Sequence, residues 1–272
     1  MKINDFKKLM INLGYELEEV TVDKNGKKVN GFAIGSKEKT IRPTLYNNFI
    51  EANDEEEILN LINKSFDQCP KLDPNIFLSQ DYVKKNVITC LRHKSNNEEL
   101  LKWIRHDDLE EYLKIICTDG SAGRGTIKIT KKIAEEIGMD TTELLLHARE
   151  NTRKTVTIRS MKEVLSGLIN FEIEEEETDI NILGGETMYV ISANNNVDGA
   201  SAMLFNTVLK EVAERLHSSK IIIIPSSIHE CIVVSAEASE THQIDKMIQE
   251  VNDTQVNEID QLSDHAYIID LS

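Results

Sequence analysis

The sequence predicts an α+β protein, with an N-terminal mixed α/β portion followed by a C-terminal β-α-β-β-α-β unit of ferredoxin-like type. The stretch Ile221 to Val234, IIIIPSSIHECIVV, reads as two apolar strands around a short polar hairpin. Strand-like and helix-like patterns alternate in the right order on either side of it. Four prolines and twelve glycines in 272 residues leave few breaks, which favours regular elements joined by polar turns.

Phe6, Leu9, Met10 and Leu13 recur at helical spacing, and Gly14 supplies a stop. YELEEVTV and KVNGFAI flank Lys24-Asn25-Gly26, a strong hairpin signal because Asn and Gly tolerate positive φ. TIRPTLYNNF reads as a third extended run, with Pro43 marking an edge or bulge. Asp54 and Glu57 form a capping box for a helix carrying Ile58, Leu61, Ile62 and Phe66. Helices are expected near 79–90 and 97–103. Leu109 to Thr118 and TIKIT read as strands around DGSAGRG. Thr130 to Ile137 is a helix closed by Gly138, Asp140 and Glu143 cap the next, and a short helix covers Ser160 to Leu168. Residues 171–186 read as an acidic connector between a region 1–170, divisible into about 1–105 and 106–170, and a domain 187–272. In that domain MYVISA is a strand and Asp198 caps a helix lined by Leu204, Val208, Val212 and Leu216. The apolar hairpin follows, then a helix with Ile244, Met247, Ile248 and Val251, and AYIID ends the chain as a strand.

The net charge of −16 is confined to the last third. Residues 171–272 hold four basic residues against 20 Asp and Glu, while 1–170 are balanced. Such a surface repels nucleic-acid phosphates and anionic membrane and suits a basic protein partner. Cys69, Cys90, Cys117 and Cys231 show no paired spacing, which argues against a zinc ribbon or redox motif; Cys117 and Cys231 lie in apolar runs as small buried hydrophobes. No signal-peptide-like apolar core or membrane-length run is present, so a cytoplasmic location is expected.

Ser226, Ser227, His229 and Glu230 form the densest polar group. A hydroxyl, an imidazole and a carboxylate can serve as nucleophile, base and orienter. Strand alternation, however, sets His229 and Glu230 on opposite faces and favours a hairpin satisfying its own backbone. Asn252, Asp264 and His265, between the last helix and last strand, could complete a polar rim beside it. His229-Glu230 is not a zincin motif, since position 233 is Val, and the other histidines show no metal-ligand spacing. Neither a metal nor a cofactor is expected. DGSAGRG lacks the phosphate-loop pattern and precedes a strand, and Asp198-Gly199-Ala200-Ser201-Ala202 suits close packing better than anion binding.

MYVIS, DGA, IIPSSIHE, VNDTQV and LSDHAYIID together resemble an uncharacterised bacterial family, catalogued as a domain of unknown function and common in anaerobic Gram-positive bacteria. The resemblance extends upstream through TIRPTLYNNF, the LRHKSNNEELL region and HARENT. It implies a fold shared along nearly the whole chain and assigns no activity, so no residue role is carried over. The residues themselves point first to a non-enzymatic interaction or regulatory protein with an acidic C-terminal surface. A hydrolase using the PSSIHE hairpin and its rim, and an acidic nucleic-acid mimic that captures a basic protein, are the alternatives.

Overall fold

A computed structural model of the protein describes residues 1–35, 42–68, 74–95, 97–120, 123–169, 187–236 and 241–272. It is α+β throughout. Helix α1 (Ile3–Asn12) buries Phe6 and Met10 and stops at Gly14, whose φ is 81°. Strands β1 (Leu17–Lys24) and β2 (Lys27–Ile34) pair around Asn25-Gly26, both at positive φ. β3 (Thr44–Tyr46) adds to β2, and α2 (Asn47–Ala52) follows at once. The expected third strand is therefore shorter than TIRPTLYNNF, whose NNF starts a helix. Helix α3 (Glu55–Gln68) carries the expected capping box: Asp54 Oδ1 accepts from the Glu57 amide at 3.0 Å, and Glu57 Oε2 from the Asp54 amide at 3.3 Å.

Two expectations fail in the next stretch. Helix α4 (Gln80–Asn86) ends early, and β4 (Val87–His93) replaces its second half. Val87, Ile88, Cys90 and Leu91 are all buried, and a short run buried on both faces carries no period to separate strand from helix. No helix forms at 97–103. Asn97 Oδ1 accepts from the amides of Glu99 and Leu100, a side-chain turn that competes with helix, and β5 (Lys102–Arg105) follows. β6 (Leu109–Gly120) pairs with β5 and with β7 (Gly123–Lys128). Thr130 caps α5 (Lys131–Ile137), and Gly138 closes it in the left-handed region. Asp140 caps α6 (Thr141–Arg153). β8 (Val156–Ser160), unforeseen in the sequence, leads into α7 (Met161–Ile169). The acidic stretch 171–186 lies outside the described residues. Then come β9 (Tyr189–Ala193), a 3-10 turn (Gly199–Leu204), α8 (Asn206–Arg215), β10 (Lys220–Ser227), β11 (Glu230–Ser235), α9 (Thr241–Thr254) and β12 (Tyr267–Asp270).

The chain divides into two compact units, one of residues 1–87, 97–100 and 114–144, the other of 88–96, 101–113 and 145–272. In the first, α1, α2 and α3 enclose a core of Phe6, Met10, Phe32, Ile34, Leu45, Ile50, Ile58 and Ile62 against β1–β3. Gly31 lies where any Cβ would strike the Leu45 carbonyl of β3.

The second unit is built on an antiparallel sheet ordered β12-β10-β11-β9-β8. Alternation along IIII explains why all four isoleucines are buried. Ile221 and Ile223 pack with Val208, Val212 and Val233, while Ile222 and Ile224 pack with Val234, Ile244 and Ile248. Helices α8 and α9 thus cover opposite faces. This corrects the ferredoxin-like expectation, in which both helices lie on one face and the first strand neighbours the last. The element order is as expected, but here β10, not β9, lies beside β12. The crossovers β9→β10 and β11→β12 step the same way along the sheet from strands of opposite direction. Right-handed connections of that kind send their helices to opposite sides.

Candidate functional site

The β10–β11 hairpin ends in a tip of only two residues, Ile228 and His229, with Ser227 paired to Glu230 and a register shift between Pro225 and Ser227. The serines therefore belong to the end of β10, and His229 sits in the turn, where strand alternation does not govern it. Ser227 Oγ accepts from the His229 amide at 3.0 Å. The His229 carbonyl accepts from Ser192 Oγ of β9 at 2.8 Å. The His229 ring receives the Asp198 amide at Nδ1, 3.1 Å away, so Nε2 carries the proton and faces Asp260 Oδ1 at 3.4 Å. Asp198 does not cap a helix as expected. It takes the left-handed conformation, φ 57°, ahead of the buried Gly199-Ala200-Ser201-Ala202 turn. Gly199 lies so close to Ala193 and the His229 carbonyl that no side chain fits, which makes the small residues a packing device.

Asp260 belongs to the loop 255–266, and its carbonyl accepts from the Ile228 amide at 2.8 Å. Buried Asn252 shapes the same loop, donating through Nδ2 to the Ser263 carbonyl (3.0 Å) and to Asp264 Oδ1 (2.9 Å). Beyond it, Asp108 of the β5–β6 turn gathers a second cluster. Its carboxylate accepts from Ser263 Oγ at 2.9 Å and from the Tyr267 hydroxyl at 2.8 Å. His265 Nε2 stands 3.9 Å from Asp108 Oδ1, His93 Nδ1 stands 4.0 Å from Oδ2, and Ser263 Oγ lies 3.2 Å from His265 Nδ1. The rings of His106 and His265 lie 5.0 and 4.9 Å from that of Tyr267. Burial pushes the Tyr267 phenol far up, and its bond to Asp108 adds to this, so it remains a donor. Burial also holds His106 below the ordinary histidine value, against the pull of Asp108.

The sequence-chosen residues thus fall into two groups, Ser226, Ser227, His229 and Glu230 at the hairpin and Asn252, Asp264 and His265 on the loop. Asp260 links them. Sequence reasoning missed Asp108, His93, His106 and Tyr267, because Asp108 and Ser263 are 155 positions apart. The one local signal was the polar Arg105-His106-Asp107-Asp108 turn, where His106 and Asp107 both take positive φ. These groups tie the loop 255–266 to the hairpin and to the β5–β6 turn. Ser263 is buried, and its Oγ lies between Asp108 Oδ2 at 2.9 Å and His265 Nδ1 at 3.2 Å. Among the described residues, no group of three or more His, Cys, Asp or Glu could hold a metal ion.

Beside this cluster, β4–β6 carry a buried ionic network. Glu111, wholly buried, accepts from Arg149 Nε (2.8 Å) and Nη2 (2.6 Å), Arg105 Nε (2.8 Å) and Thr89 Oγ1 (2.7 Å). Glu110 accepts from Lys102 Nζ at 2.5 Å and Arg92 Nε at 3.1 Å. Burial opposes ionisation of both, yet these donors and their charges hold both carboxyls below the ordinary glutamate value.

Burial pushes the Cys117 thiol up to about 11 and the Cys231 thiol higher still; Cys231 is wholly buried as expected, whereas Cys117 is only partly so. Among the described residues, no helix is long and apolar enough to cross a membrane. Compared with known proteins, the chain matches over residues 3–270 the model of a family of unknown function, DUF5688. No curated protein and no solved structure matches it.

Proposed function

Because the chain belongs to DUF5688, a family to which no function is attached, we propose from its own residues that it is a non-enzymatic interaction or regulatory protein of the bacterial cytoplasm. Its contact surface is the acidic face of α9 and the loop after it, and its partner is a basic protein. One observation carries the reading: the groups a catalyst would need are engaged inside the unit, while the acids beside them face solvent. His229 accepts an amide at Nδ1 and points Nε2 at Asp260. Glu250, Asp253, Glu258 and Asp264 are exposed, and from residue 241 onward Lys246 is the sole Lys or Arg. An acidic face of this kind speeds encounter with a basic surface and loses that advantage in salt.

The test is affinity capture on the immobilised full chain at low and high salt, beside a Glu250→Gln, Asp253→Asn, Glu258→Gln variant. The reading expects partners of high isoelectric point that are held by wild type, released by salt and lost from the variant. Partners retained equally by the variant would contradict it. Turnover of ester or amide substrates by the wild type, abolished in His229→Gln, would move the assignment to the hydrolase. Displacement of nucleic acid from a captured partner would narrow it to the mimic.

A further inference from the structure

The sheet β12-β10-β11-β9-β8 has two edges, and the fold treats them differently. At β8, the Asn194 N–H donates to the Thr155 C=O (2.8 Å) and the Met161 N–H to the Met188 C=O (2.9 Å). Antiparallel alternation then turns the backbone groups of Val156, Ile158 and Ser160 outward. Side chains cover this edge: the Ser160 N–H donates to Glu163 Oε2 at 2.6 Å, and the Ile158 C=O accepts from Arg215 Nη1 at 3.5 Å. At β12, the Leu271 N–H donates to the Ser219 C=O at 2.9 Å. Tyr267 and Ile269 therefore bond to β10, while Ala266, Ile268 and Asp270 turn their backbone outward. The Ala266 N–H donates to Asp245 Oδ1 of α9 at 2.9 Å. Among the described residues, nothing hydrogen-bonds to the backbone of Ile268 or Asp270 on that side. Ile268 is 47% exposed.

We propose that β12 is a strand-addition edge whose occupant is an extended segment of a partner protein, patterned basic-x-apolar-x-basic. This partner is the basic protein of the acidic-face reading, on which the proposal rests. Ile268 and Asp270 share the α9 face of the sheet with Ile222, the cross-strand partner of Ile268. Asp245, held at the Ala266 amide, sets an acid on the other side of Ile268. An added strand thus meets acid, isoleucine and acid at successive outward positions. Lys220, across from Asp270, offsets part of that last charge. Main-chain bonds supply the affinity of such additions, and alternate side chains supply the specificity. A second copy of β12 fits worse, because residues 171–272 of each copy hold four basic residues against 20 acids.

Residue-resolved amide exchange of the isotope-labelled full chain, with the capped peptide Thr-Lys-Thr-Val-Thr-Lys-Thr as probe, tests it. At saturation the Ile268 and Asp270 amides should gain about tenfold protection. A copy N-methylated at Val and both Lys keeps its charge but loses its donors, and should protect neither amide. Ile268→Pro removes one outward N–H at an edge position that tolerates proline, and should weaken binding about threefold to tenfold. Should proline loosen the strand, Ile268→Lys, which keeps the backbone and repels the peptide, gives the same readout. Equal binding of the N-methylated copy overturns strand addition and leaves the acidic face standing. Absence of any binding overturns it too, while the acidic face is judged by its own Glu250, Asp253, Glu258 variant. Protection that rises with protein concentration alone would give the edge to a second copy, and likewise overturns the proposal.

Discussion

Replacing Glu111 by Gln removes the carboxylate that Arg149 and Arg105 share while keeping the shape of the side chain. Glu111 is wholly buried, and its partners are 35% and 28% exposed. Breaking a fully buried pair costs about 3–5 kcal/mol. Here the stranded guanidiniums can still reach water, so the expected cost is about 2–3 kcal/mol. The assay is built into the fold: Trp103, the single tryptophan, pairs directly with Glu111 across β5 and β6. Its fluorescence during urea unfolding reports on that sheet. With a slope of about 2 kcal/mol/M, the midpoint should fall by roughly 1–1.5 M. The carboxyl's folded-state pKa is lowered, so its contribution is present above the ordinary glutamate value and lost as pH falls through the folded one. The gap between wild type and variant should therefore begin to narrow as pH falls below the ordinary glutamate value of about 4.3. A midpoint shift under about 0.3 M at pH 7, or a gap that does not change with pH, would refute the reasoning.

Gly199→Ala puts a methyl into the Ala193 backbone and the His229 carbonyl, and should lower the melting temperature by an amount equivalent to about 2–4 kcal/mol. Tyr267→Phe leaves the half-buried Asp108 short of one donor and should cost about 1.5–3 kcal/mol in the same assay. Burial lowers the folded pKa of His106, so its contribution is full above about 6.5 and declines as pH falls through the folded value. His106→Gln should accordingly narrow the difference in melting temperature between pH 7.5 and pH 5.

Local chemistry made much of the fold legible. The Asn25-Gly26 hairpin, the Asp54–Glu57 box, the Thr130 cap with Gly138, and the IIII strand each announce themselves within a few residues. β4 and β8 were missed because their identity depends on what covers them: β4 is buried on both faces, and β8 is an edge strand added beside β9. The sheet order, and with it the failure of the ferredoxin-like arrangement, lies in which strand each crossover reaches, and no residue pattern records that. At the candidate site, the hairpin and loop residues were readable because polar side chains interrupt apolar runs there. Asp108 was not, because its partners arrive from β4, the loop and β12 only after folding.

The role proposed for His229 is to fasten the hairpin rather than to serve as a base. The tautomer of its ring, read from long-range imidazole nitrogen–proton correlations on labelled protein near pH 7.5, tests this directly. The proton is expected on Nε2, facing Asp260, with Nδ1 unprotonated and accepting the Asp198 amide. A proton on Nδ1, with Nε2 left free to take one from a hydroxyl, would contradict it.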